Sequence, residues 1–224
     1  MSFSEAGVNF AGPLPERVYM DHNATTPLCP AARDAMTAAL GVWGNPSSIH
    51  AEGRAARDWV ERARRQVAQF LGSDSGDGII FTSGGTEADC LGILGLAGLA
   101  RRRGQPARVL STAIEHPAVS GACAALVARG FAVHTVAVDG DGRIDREDFA
   151  RHCRDGAALA VLSAANHELG TVQDVAGLAA LAAEHGVLVH CDAVQAAGKI
   201  ALTPATTGVA SVALSGHKIY GPKG

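Results

Sequence analysis

The chain has 224 residues, 47% hydrophobic and 18% charged, which excludes a disordered segment and suffices for one large core or two small ones. Its 19 Lys and Arg against 22 Asp and Glu leave a formal charge of -3, so no overall basic field argues for wrapping nucleic acid. Aromatic residues make up only 4% beside 27 Gly and abundant Ala, a composition suited to helices packed closely over a parallel sheet.

Residues 1–17 read as a loose lead-in spaced by Gly12, Pro13 and Pro15. No basic stretch followed by an apolar run opens the chain, so no signal sequence is expected. The greasiest stretch, 90–100, is too short for a membrane span. The five cysteines contain no CxxC pair; a reduced, cytoplasmic chain is the expectation. An extended piece at 18–20 enters the turn-forming run DHNATTP, and Pro27 and Pro30 suit the first turn of a helix reaching about Leu40, ended by Gly41. After the irregular GNPSSIH, a helix over 51–71 places Trp59, Val60, Ala63, Val67 and Phe70 on one stripe.

From there strands and helices alternate. Expected strands are 78–82, 107–111, 132–138, 158–163, 187–191 and 209–214; expected helices are 86–103, 117–129, 146–154 and 174–185. The apolar runs lack strict two-residue alternation, as strands covered on both faces do, and crossover helices imply right-handed βαβ units. The fold class is α/β, with no repeat or linker that divides it.

Four constellations bear on chemistry, each at the end of an expected strand. In TSGGTE, Gly84 and Gly85 let backbone N–H groups approach an anion, and the helix start adds free donors; a plain capping box at Thr86 is the competing explanation. The run is neither a Walker loop nor a dinucleotide loop. Glu115-His116-Pro117 offers an imidazole able to stack on a flat cofactor or move protons, or merely to cap a helix. Asp192, followed by Gln195, suits pairing with a protonated ring nitrogen. His190 and Cys191 precede it, but neighbours on a strand face opposite ways, so no metal site is expected. Ser215-Gly216-His217-Lys218 supplies one of only three lysines, able to act as an amine nucleophile, with Lys199 and Lys223 as competitors. DGDGRID, from Asp139, has Ile144 and Ala150 where a calcium loop needs Gly and Glu, and is read as a turn.

Together, the segments VYMDHNATTP, GNPSSIH, IIFTSGGTEAD, EHPAV, GVLVHCDAVQAAGKI and LSGHKIYGPKG resemble the NifS-like cysteine desulfurases of the class V aminotransferase family, over about nine-tenths of the chain. The resemblance implies the large domain of a fold type I transferase dependent on pyridoxal 5'-phosphate (PLP): a three-layer α/β/α architecture with a mostly parallel sheet, incomplete at its C-terminus. Residues 18–224 would be this cofactor domain, and 1–17 a small-domain or subunit-contact segment. It further implies that Lys218 carries the cofactor and moves protons, that His116 stacks on the ring, and that Asp192 pairs with the ring nitrogen. Gln195 would bond the ring hydroxyl, and Gly85, Thr86, Ser215 and His217 would hold the phosphate. His167 stands where the family has an Asn near the ring hydroxyl and substrate carboxylate, and His22 where it commonly has another Asn.

The implied reaction converts L-cysteine to L-alanine and leaves an enzyme persulfide. A second copy of the chain and a sulfur-acceptor or iron–sulfur scaffold protein would be partners, without nucleic acid or membrane. Selenocysteine lyase or another class V aminotransferase-like enzyme, and a non-catalytic PLP-binding or dimerisation fragment, are the alternatives. The family continues well beyond the position of Gly224, into the segments that hold its substrate-carboxylate arginine and persulfide cysteine. None of the five cysteines here matches that nucleophile, and a 224-residue chain alone is expected to show little desulfurase activity.

Overall fold

The computed structural model describes residues 17–201 and 203–223, apart from the side chains of residues 205 and 206. Of the expected lead-in, residues 1–16 lie outside the described residues. Five strands, β1 (Arg108–Thr112), β2 (Ala132–Val136), β3 (Leu159–Ser163), β4 (Leu188–Asp192) and β5 (Ser211–Ala213), form one sheet in the order β2-β1-β3-β4-β5. Every pairing is parallel.

The side-chain alternation of the strands sorts the core into two layers. Val109, Leu159 and Val161 pack with Ile93 and Ala97 of α3 (Gly85–Arg102) and with Val119, Ala122 and Leu126 of α4 (Pro117–Val127). Leu110, Ala160, Leu162 and Val189 face the other way, onto Phe149 and Cys153 of α5 (Arg146–Arg154) and Leu178 and Ala182 of α6 (Val175–Glu184). Apolar residues on both faces of each strand are what produced the uninterrupted apolar runs. Successive strands step outward to β2 and then return across β1 to β3, so the direction of winding reverses there. A crevice opens beyond the carboxyl ends of strands at such a point.

Helix starts are set locally. Asp145 accepts from the N–H groups of Glu147 and Asp148 to cap α5, and Asp174 caps α6 through Gly177. The turn at Asp139 forms as expected, its carboxylate accepting from Asp141 and Arg143 at 2.9 and 2.8 Å. Toward the N-terminus, α1 (Pro30–Ala39) starts later than Pro27, and α2 (Ala51–Phe70) carries the expected stripe only half covered, with Phe70 exposed. Unanticipated short helices occur at α7 (Pro204–Thr207) and at the 3-10 turn Gly216–Lys218.

One expected strand is absent. Residues 78–82 run without a ladder to any strand, and Ile80 and Phe81 are 68% and 50% exposed. An apolar run becomes a strand only where a neighbour takes its backbone groups. Here Arg64 of α2 donates to the Ile79 carbonyl and lays its guanidinium over the Phe81 ring at 5.3 Å. Among the described residues, no helix is long and apolar enough to cross a membrane.

Candidate active site

Beyond the carboxyl ends of β3, β4 and β5 lies a cavity of about 270 Å³. Gly85, Thr86, His116, His167, Asp192, Gln195, Ser215, His217 and Lys218 all line it. Sequence reasoning had drawn these residues from five separate segments, and the fold brings them to one place.

At one end stands the start of α3. Its N-cap, Gly84, offers no side-chain oxygen, and no side chain caps the helix, so the first-turn N–H groups stay open toward the cavity. Glu87 turns back to accept from the Ser83 N–H at 2.6 Å, which holds its carboxyl below the usual range. It thereby spares the inner donors. A Cβ on Gly85 would come within 3.2 Å of Val194 and 3.4 Å of Ser215, so a bare backbone is what keeps this end open.

His116 caps α4: its Nδ1 accepts from the Ala118 N–H at 3.1 Å, which leaves Nε2 as the protonated nitrogen of the neutral ring. Burial, then the neighbouring His167 and Lys218, lower its proton affinity, while Asp89 works the other way. The His116 and His167 rings meet edge to face, 5.5 Å apart. His167 is aimed by Asn166, whose amide donates to the Ile114 carbonyl at 2.7 Å and whose oxygen accepts from the N–H groups of Glu168 and Leu169.

Asp192 ends β4 almost buried, its carboxyl accepting from the Val194 N–H at 2.9 Å. Burial first, and the charge of Asp89 second, push it up to about 6, against that N–H, His190 and Lys218. Lys218 donates to the carbonyls of Asn23 and Ala24, and burial lowers its proton affinity against the pull of Asp21 and Asp192. Gln195 donates to the Asn23 carbonyl at 2.9 Å and accepts from Lys199. Lys199 is thus engaged outside the cavity lining, and Lys223 is exposed. His22 stands apart from the cavity, between the Tyr19 and Tyr220 rings.

The DHNATTP turn joins this end of the site. The Thr26 hydroxyl donates to the His217 carbonyl at 2.9 Å and accepts from the Tyr220 N–H at 2.7 Å, and Thr25 pairs with the His217 ring. Sequence reasoning missed Asp89 and Ser163, which also line the cavity, and Glu115, whose partly buried carboxyl accepts from the Ser163 hydroxyl. An acid one turn into an otherwise apolar helix was the available signal for Asp89.

The sequence profile of the Aminotransferase class-V family matches residues 18–224. The chain belongs to the class V aminotransferase family. It is 45% identical to a cysteine desulfurase of Cereibacter sphaeroides and 38% identical to the cysteine desulfurase NifS of Azotobacter vinelandii, over 93% and 92% of its length. It spans about half of those relatives, 54% and 51%. Among solved structures it is similar to a NifS-like protein, with TM-score 0.86 and 35% identity, covering 93% of this chain and 57% of that one. It is also similar to SspA solved in complex with cysteine, with TM-score 0.84 and 31% identity, covering 92% of this chain and 59% of that one.

Class V aminotransferases use pyridoxal phosphate, and the residues present fit it. An uncapped helix start suits a phosphate, a largely buried carboxylate suits a ring N–H, and an amine of lowered proton affinity suits an aldehyde.

Proposed function

We propose that this chain provides the cofactor-binding part of a cysteine desulfurase, which converts L-cysteine to L-alanine and passes the sulfur to an enzyme cysteine. The single observation that carries the reading is the convergence on one cavity of Lys218, Asp192 and the uncapped start of α3. The desulfurase names of its relatives and the cysteine complex of SspA support the choice of substrate.

The Gly85 and Thr86 N–H groups, the Thr86 and Ser215 hydroxyls and His217 hold the phosphate. Asp192 would accept from the ring nitrogen, and His116 would stack on the ring. Gln195 and His167 serve the ring hydroxyl, for which Gln195 gives up a present partner. When bound, the cofactor supplies an electron sink for charge developing at the substrate α-carbon. Lys218 holds the cofactor through its amine and afterwards moves the α-carbon proton; its lowered proton affinity enlarges the neutral fraction that both tasks need. Cys123, Cys153 and Cys191 are buried and their thiols pushed up by that burial, Cys153 to about 11 and Cys191 to about 12, which suits packing rather than sulfur transfer.

Residues 18–224 constitute the cofactor domain, 1–17 a small-domain or subunit-contact segment. A second copy of the chain and a sulfur-acceptor or iron–sulfur scaffold protein are its partners, in the cytoplasm; five unpaired cysteines favour that compartment. In the protein that carries this sequence, L-cysteine in the presence of a thiol yields alanine and sulfide in equal amounts. Lys218→Ala lowers both by about 10²–10⁴-fold or more. Alanine formation that survives the substitution contradicts the reading.

A further inference from the structure

Behind Asp192 lies a polar chain for which the proposed chemistry has no use. His190, two residues before Asp192 and on the same face of β4, is fully buried. Its Nδ1 meets the Ser211 hydroxyl of β5 at 2.7 Å and its Nε2 meets the Asp89 carboxyl of α3 at 3.1 Å. Asp89 is itself 1% exposed, yet it reaches the cavity lining beside Asp192.

Space for the ring is made on purpose. A Cβ on Gly92, one turn after Asp89, would lie 2.6 Å from His190 Cε1 and Nδ1 and 3.2 Å from the Ser211 hydroxyl. Helix and strand therefore close on the imidazole only because that position is bare. Ser211 and Asp89 satisfy both ring nitrogens of His190, as a fully buried imidazole requires, and the same bond fixes the Asp89 carboxyl where it reaches the cavity lining.

We propose that Ser211, His190 and Asp89 form a positioning unit that holds a second carboxylate in the same cavity lining as Asp192, so that Asp192 binds the protonated nitrogen of a heteroaromatic ring more strongly than it would alone. The preference for a ring cation rests on the cofactor reading above; the carboxylate pair does not. The groups facing Asp192 are Asp89 from α3, His190 from β4 itself, Glu115 after β1 and Lys218 after β5. Asp89 is the one whose charge most opposes its ionisation. A carboxylate made more basic in this way binds a ring N–H more strongly, and protons compete with the ligand as the pH falls. Asp89 is a positioning residue: it acts on the ring through Asp192.

Isotope-edited infrared titration of the ligand-free chain reads this directly, the Asp192 carboxyl band being the one that disappears in Asp192→Asn. Asp89→Asn keeps an oxygen to accept from His190 and removes the charge. The expected result is a fall of the Asp192 midpoint by about one pH unit, tenfold in proton affinity. Ser211→Ala, at the open edge strand, loosens the same chain and moves the midpoint the same way by less; it decides the matter should Asp89→Asn not fold. A midpoint left in place overturns the proposal. Binding of deoxypyridoxine phosphate, which lacks the aldehyde, separates the two readings: if the midpoint shifts but wild type does not bind it, the cofactor reading fails and the carboxylate pair stands.

Discussion

Two histidines face each other where the family resemblance implied one histidine and one asparagine. Partial desolvation and then the neighbouring His167 lower the proton affinity of His116, so the departure at position 167 reaches that ring electrostatically. His167→Asn therefore raises the His116 midpoint toward the ordinary 6.5, read from its imidazole C–H shift by NMR; an unmoved midpoint contradicts the coupling. Glu115 gives a second residue-scale consequence. Held by Thr112 and Ser163, it is pushed up by burial to about 7. The folded chain thus binds more protons than the unfolded one between about pH 4.5 and 7, and this stability is lost as pH rises through that window. The loss is about 3 kcal/mol for Glu115, with Asp192 acting in the same direction. Urea unfolding at about pH 5 and 7.5 shows the wild type weaker at the higher pH, and Glu115→Gln removes most of that difference. Lys218, Asp192 and His116 were legible because each stands at a strand end in a run with turn residues. Asp89 and Glu115 were not, since their roles depend on neighbours 101 and 48 residues away.

At the scale of elements, the strand–helix alternation was readable wherever both faces of a strand are covered, as at β3, where Leu159 and Ala160 enter different cores. It misled at 78–82, because periodicity reports burial and says nothing of a partner for the backbone; Ile80 and Phe81 have the composition of a strand without the ladder. Nor did the sequence reveal that DHNATTP would lock the lysine turn. The buried Thr26 satisfies the His217 carbonyl and the Tyr220 N–H with one hydroxyl. Tyr220 meanwhile holds a left-handed φ of 65° that needs such support. Thr26→Val leaves the Tyr220 N–H without its acceptor, while the His217 carbonyl keeps the Thr26 N–H at 2.9 Å, and costs about 1–3 kcal/mol, seen as a lower unfolding midpoint. Lys218 in that variant is labelled more slowly by pyridoxal phosphate and borohydride. Unchanged stability and labelling would show that the turn is held elsewhere.

For the molecule as a whole, the reversal of winding at β1 explains why residues distant in sequence share one crevice: the carboxyl ends of β3, β4 and β5 and the start of α3 converge beyond the sheet. That convergence is tested most directly by adding pyridoxal phosphate to the purified chain, reducing with borohydride and mapping the modified peptide by mass. The account predicts an absorbance band of the lysine-bound cofactor and a single adduct on Lys218, absent from Lys218→Ala. No band, or label scattered over Lys199 and Lys223, would contradict it.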